Sequence, residues 1–252
     1  MNASENAVVC ALIELASELC SQLDPLAKQL VKEGAVDCVY NPLHYAWEAH
    51  QAYLRLAGSG GAKTVLLGMN PGPHGMGQMG IPFAATTMVR EVLGIQDIDV
   101  EQPQTPHPKR PVIGLEYPKE EVSGTRVWGL LSSHYGTAAE IFSKVFIVNH
   151  CPLMLFSGPR AKNITPDKVR GECMLEILSL CDTHLRKVVT VMSVEEVIGI
   201  GRFAERRARG VFETGSVRVS TCWHPSPASP LANRNGGADW RANVISVLPD
   251  PS

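Results

Sequence analysis

The sequence predicts an α/β fold, and two observations carry that prediction. Four short apolar or β-branched runs, at 63–69, 145–148, 188–192 and 217–221, are separated by helical or loop-like stretches, so strands and helices alternate through the second half. The first run, KTVLLGM, is almost unbroken in apolar residues and ends in glycine and proline. That is the pattern of a strand buried on both faces that opens into a functional loop.

Taken in order, residues 6–33 place Val9, Leu12, Ile13, Ala16, Leu19, Leu23, Leu26 and Leu30 at helical spacing, with Gly34 as a stop, and are expected to form an opening helix pair. Residues 42–57 start with Pro42, repeat aromatics at helix spacing and are broken by GSGG at 58–61, which predicts a second helical segment. After the strand at 63–69 comes a loop rich in glycine and proline, NPGPHGMGQMGIPF. Residues 172–181 and 194–209 are expected to be helices. The whole, 1–252, is expected to be one domain, with 1–38 as a helical N-terminal extension.

Composition narrows the function classes. Lys and Arg total 23 against 25 Asp and Glu, a net charge of −2, so any nucleic-acid site must be local rather than a coat of positive charge. No apolar run approaches the roughly 18–20 residues needed to cross a bilayer, and the first residues carry no basic stretch before an apolar one, so a soluble intracellular protein is expected. The 7 cysteines form no C-x-x-C pair, which predicts scattered reduced thiols and neither a zinc site nor an iron–sulfur cluster.

In open parallel sheets, ligand sites gather beyond the carboxyl ends of the strands. Three such ends hold the least ordinary residues: Asn70-Pro71-Gly72-Pro73, Asn149-His150-Cys151-Pro152 and Trp223-His224-Pro225-Ser226-Pro227. Each has an ordinary reading beside the functional one. The glycine-rich loop matches neither the dinucleotide nor the Walker pattern and could be a structural turn. Asn149 could cap a helix, His224 could be a hydrogen-bonded structural residue, and Phe83 and Met76 could be core packing.

The combination of segments goes further. GMNPGPHGMGQMGIPF, HPKRPVIGLE, VNHCPLMLF followed by NITP, and HPSP occur in this order, together with NPLHYAWE, EVSGTRVWG and GRFAERRAR. From about Tyr40 to Trp240 the chain resembles the single-strand-selective (SMUG) branch of the uracil-DNA glycosylase superfamily. The resemblance implies a three-layer fold with a central, mainly parallel four-stranded sheet flanked by helices. It also implies a monofunctional glycosylase that hydrolyses the N-glycosidic bond of uracil and of 5-substituted uracils such as 5-hydroxymethyluracil, in single- and double-stranded DNA.

By the same resemblance, Asn70 positions the attacking water and His224 stabilises the charge that grows on uracil O2. Asn149 reads the base edge, Phe83 stacks on the flipped base, and Met69, Gly72 and Met76 form the floor near uracil C5. DNA contacts fall to Lys162, Asn163 and Thr165 in the loop after the second strand, to Pro225, Ser226, Pro227, Ala228 and Ser229 around the wedge, and to Arg234. Arg202, Arg206, Arg207 and Arg209 are read as a solvated helix face. No lysine stands in the place of a nucleophile, so no Schiff base and no strand cleavage are expected. No cofactor is expected, nor any membrane association. The partner is DNA holding uracil or oxidised thymine, and the protein is expected to be a monomer, in the nucleus if eukaryotic and the cytoplasm if bacterial.

The sequence departs from the family pattern after HPSP. Where an Arg is expected it has Ala228-Ser229-Pro230-Leu231, and NRNGGADW makes a longer stretch before Trp240, which predicts a stronger preference for single-stranded substrate. His74, at a position expected to be aromatic, keeps open a relative acting on hypoxanthine or xanthine. Two rival functions from different classes are a damage-sensing binding module and a nucleoside hydrolase.

Overall fold

A computed structural model describes residues 6–213, 215 and 217–251. The segment 1–5, read above for a leader, lies outside the described residues. The chain opens with α1 (Ala7–Lys32), capped by the Asn6 side chain, which accepts from the Val8 N–H at 3.0 Å. A helix pair was expected here, and one helix of 26 residues is found with Pro25 inside it. The apolar stripe Leu19, Leu23, Leu26, Leu30 stays in phase across Pro25, and all four side chains are buried. Continuous burial outweighs a break that costs about 3 kcal/mol in an exposed helix.

There follow β1 (Cys38–Tyr40), α2 (Pro42–Tyr45) and α3 (Trp47–Gly58), the last two replacing the single helix expected at 42–57 because the chain turns at Ala46. Next come β2 (Thr64–Gly68), α4 (Met76–Met79), α5 (Thr86–Glu91), α6 (Val122–Tyr135), α7 (Ala138–Lys144) and β3 (Val145–Asn149). Then come β4 (Met154–Ser157), β5 (Lys162–Ile164), α8 (Glu172–Met192), β6 (Glu196–Ile200), α9 (Arg202–Val211), β7 (Arg218–Cys222), α10 (Pro230–Asn233) and α11 (Ala238–Ile245).

The run 188–192 is not a strand. It is the last turn of α8, whose buried stripe Ile177, Cys181, Leu185, Val188, Met192 keeps helical spacing to its end. Three valines in five residues make a β-like composition locally, but the period of burial decides. Ser193, with φ 52°, ends the helix and turns the chain into β6. The helix expected over 194–209 is therefore a strand followed by a shorter helix, with Gly201 between them.

The large sheet has order β3-β2-β6-β7 with every pairing parallel, and helices flank it as the α/β reading predicted. Strand β2 is buried at all five positions. Because the strands run the same way, the ends of β2, β3 and β7 emerge at one edge. Register aligns Gly68 with Asn149 and Ile200 with Cys222, which brings the segments after three strands to a common mouth. A second, antiparallel sheet of order β1-β4-β5 stands apart from it.

Candidate active site

Residue 68 sets the site's dimensions. A Cβ on Gly68 would overlap the Asn149 side-chain oxygen and come within 2.6 Å of the Phe83 ring, so only glycine leaves a gap between the two. Asn149 is the buried last residue of β3. Its Nδ2 donates to Met76 Sδ at 3.1 Å, while its Oδ1 is buried with no hydrogen bond. An acceptor left in that state costs about 1–3 kcal/mol, a cost that a ligand N–H would remove. Phe83 holds a left-handed backbone, φ 53°, inside a loop in which every residue from Met76 to Ala85 is buried. That strain on a bulky residue aims its ring at the gap.

The loop after β2 is pinned from several sides. The Tyr45 hydroxyl donates to Gly77 O at 2.6 Å, Gln78 donates to Pro73 O and Pro111 O at 3.1 and 3.0 Å, and Ile113 N–H returns a bond to Gln78 Oε1 at 3.0 Å. His50 Nδ1 bonds Gly80 O at 2.8 Å, and burial pushes its imidazole down to about 4. Gly72 faces the Glu121 carboxylate closely enough that a Cβ would overlap it. Burial raises Glu121 above the ordinary carboxylate range, while the N–H groups of His74 and Ser123 donate to it and pull the other way. Asn70 is half-buried just past β2, its Nδ2 making a long 3.4 Å bond to Pro71 O. Met69, before it, is partly buried.

Beyond β7, the Ser226 N–H donates to His224 Nδ1 at 3.1 Å. Accepting at Nδ1 leaves the neutral ring's proton on Nε2. Burial lowers the His224 pKa, which favours that neutral, Nε2–H form. The His224 and Phe83 rings are 6.5 Å apart, so Phe83 stands between Asn149 and the imidazole. The HPSP turn is closed by Ala228 N–H to Ser226 Oγ at 3.2 Å and by Asn233 Nδ2 to Pro227 O at 2.8 Å.

The structure thus brings Asn149, Phe83, Met76 and His224 to one place, with Asn70, Met69 and Gly72 on the adjoining loop. It treats other expected residues differently. Lys162 and Asn163 are not in a loop but on β5, paired to Ser157 and Phe156, because this stretch completes an antiparallel sheet; Thr165 follows at the start of a short 3-10 turn. Arg207 is not part of a solvated face: it pairs with Asp182, whose carboxylate also bonds the buried His150 Nε2 at 2.7 Å. Arg202, Arg206 and Arg209 are exposed, as expected, with Arg209 paired to Glu205 at 3.1 Å. Arg234 is exposed and pairs with Asp239 at 3.4 Å. His74 stacks on Tyr117, the ring planes 20° apart, and shares a 2.9 Å hydrogen bond with its hydroxyl.

Two site residues escaped the residue-level reading. Arg126 on α6 bonds Pro225 O and Asn233 Oδ1, both at 2.8 Å, and so holds the HPSP turn. Glu121 backs the loop after β2. Both lie in the EVSGTRVWG segment, whose place in the motif set was the one signal that could have found them. Pro225, Ser226, Pro227, Ala228 and Ser229 form a turn, and beyond it Leu231 is a large apolar side chain left 42 % exposed.

No family model matches the chain. Among curated proteins it is 40% identical over 232 residues to the bovine (Bos taurus) single-strand selective monofunctional uracil DNA glycosylase, covering 90% of this chain and 85% of that one. It is 42% identical to the Rattus norvegicus protein of that name over 232 residues, 90% and 83% of the two chains. Among solved structures it resembles wild-type SMUG2 of Pedobacter heparinus, with TM-score 0.58, 15% identity and coverage of 82% and 85%, a likeness of fold. With such identity to the curated relatives over nine-tenths of its length, the chain belongs to the single-strand-selective monofunctional uracil-DNA glycosylase family.

Proposed function

We propose that the protein excises uracil from DNA by hydrolysing its N-glycosidic bond, leaving an intact abasic site. The observation that carries this reading is the buried, unpaired Asn149 Oδ1 beside the gap over Gly68. Uracil N3–H supplies the missing donor, and uracil O4 accepts from Nδ2 once that group turns from the Met76 sulfur. Cytosine presents the reverse pattern along that edge and is rejected. Phe83 covers the face of the base.

Asn70 is an amide and takes no proton, so the reaction is dissociative. The C1′–N1 bond breaks first, and its electron pair leaves with the base. Negative charge gathers on uracil O2, where the His224 Nε2–H donates to it, an oxyanion-type contribution of about 3–4 kcal/mol. Water oriented by Asn70 then adds to the sugar cation at C1′ and releases a proton to solvent. No lysine takes part, which keeps the product uncleaved.

The finer reading extends to 5-hydroxymethyluracil, accommodated by the partly exposed backbone near Met69 and Gly72. DNA phosphates meet the 225–229 turn, with Arg234, Lys162, Asn163 and Thr165 as further contacts. Leu231, exposed on a short helix, is the wedge that enters the stack during extrusion. A lone aliphatic wedge favours single-stranded over paired uracil. The protein acts as a monomer, in the nucleus if the source is eukaryotic.

A labelled oligonucleotide holding one uracil, single- or double-stranded, tests this. Cleavage that needs alkali, fastest on the single strand and severely slowed in Asn70→Ala and His224→Ala, is the expected result. Absence of abasic product on both substrates overturns the activity, and equal rates on both overturn the strand preference.

A further inference from the structure

Where α1 meets α2, three side chains of metal-ligating type converge. Cys20 and Asp24 are one helical turn apart and leave the same face of α1, and His44 approaches from α2. One sulfur, one carboxylate oxygen and one imidazole nitrogen lie within 4.8 Å of one another. His44 Nδ1 and Asp24 Oδ2 are 2.7 Å apart. Asn41 Nδ2 reaches both Asp24 Oδ1, at 2.8 Å, and Cys20 Sγ, at 3.4 Å. The amide's orientation is fixed from its other end, because Asn41 Oδ1 accepts the Leu43 N–H at 3.2 Å. An N–H aimed at a sulfur is the outer support that steadies a metal-bound thiolate. Asp24, Asn41 and His44 also line an open cavity of about 750 Å³, bordered by the 101–108 segment, through which an ion and its water gain access.

We propose that Cys20, Asp24 and His44 bind one zinc-like divalent ion, with water from the cavity in the fourth position. One sulfur, one nitrogen and one oxygen suit zinc, whereas magnesium and calcium demand oxygen ligands. Bonds of about 2.0–2.3 Å in a tetrahedron need donors roughly 3.3–3.6 Å apart, so on binding His44 Nδ1 and Asp24 Oδ2 separate from their 2.7 Å hydrogen bond while the cluster, within 4.8 Å across, gathers around the ion. His44 and Asp24, with side chains 45% and 29% exposed, have room to do so. Binding displaces the thiol proton and tightens as pH rises. The ion clamps α1 to α2, and α2 packs on α4, which carries Met76. It takes no part in excision. The cysteine pattern gave no hint of it because two ligands come from one helix turn and the third from another helix.

Cobalt(II) added to the chelator-stripped full-length protein tests the proposal. The expected result is one bound ion per chain, a thiolate-to-cobalt charge-transfer band, displacement by zinc, and a higher melting temperature with either metal. Cys20→Ser abolishes the band while uracil excision stays at its wild-type rate. His44→Gln, at an exposed position that leaves folding undisturbed, weakens cobalt binding by more than the roughly 10-fold minimum seen on losing an outer partner. No band in the wild type, or a band and affinity unchanged in both variants because another cysteine is the ligand, overturns it.

Discussion

From Met76 to Ala85 the loop after β2 is buried at every position, whereas the loop after β7 leaves Pro227, Ala228, Pro230 and Leu231 exposed. The first is tied by Tyr45, His50 and Gln78; the second leans on one arginine, Arg126, and on its own turn bonds. Both reach the same site, so under the proposed function the difference divides labour. A base would enter a slot whose width Gly68 and the buried loop set, while the exposed turn would meet the strand. On that reading, selection of the base belongs to packing, and selection between paired and unpaired substrate belongs to a surface.

The largest effect that tests this division is at the chemistry itself. His224→Ala and Asn70→Ala should each lower single-turnover excision by about 10²–10³-fold with little change in melting temperature. A comparable fall in stability would mean that these residues hold the loops rather than act on the base.

The rigid side should show itself in acid. His50 is buried and held near 4 in the folded chain, while unfolded His titrates at about 6.5. Below pH 6.5 the unfolded state takes up a proton that the folded state refuses, so stability falls as pH drops from 6.5 and levels off near 4. The loss is about 3 kcal/mol at most. Burial pushes His184 down to about 4 as well, which adds a loss of the same sign over the same range, so urea midpoints should fall between pH 6.5 and 4 and His50→Gln should make that fall shallower without abolishing it.

Asn149→Ala should slow uracil excision by about 10–100-fold, a loss of about 1.4–2.7 kcal/mol, yet hold or raise thermal stability because it removes an unpaired buried acceptor. A lower melting temperature would show that Asn149 packs more than it reads. The smallest effect should come from the exposed loop: Leu231→Ala should cost about 1 kcal/mol, several-fold in rate, on duplex substrate, and leave single-stranded excision unchanged.

How far the sequence could foresee this follows from the range over which each signal acts. Asn70, Asn149 and His224 stood out because they are polar residues at or shortly after the ends of strand-like runs, each with a proline within three residues, a local pattern; their roles came from the resemblance. The four-stranded sheet was likewise expected, but with 188–192 in place of β6. There β-branched composition competed with a burial period that emerges only when all of α8 is laid out. Arg126 and Glu121 were invisible locally, since Arg126 finds its partners 99 and 107 residues away and Glu121 reaches His74 across 47. Lys162 and Asn163 were misplaced for the same reason: an antiparallel partner turns a polar stretch into a strand, and the partner's register is not written in the stretch itself.

The strand that delivers His224 has one more support, in α11. The buried Trp240 indole donates to the carbonyl of Trp223 at 2.9 Å, one residue before the imidazole, and Asn243 Oδ1 accepts the Trp223 N–H at 2.8 Å. The C-terminal helix therefore ties an indole pair to the strand end that carries His224. Under the proposed function, a base docking against His224 should change the emission of this pair, which a fluorescence titration with a uracil-containing oligonucleotide would read without a label.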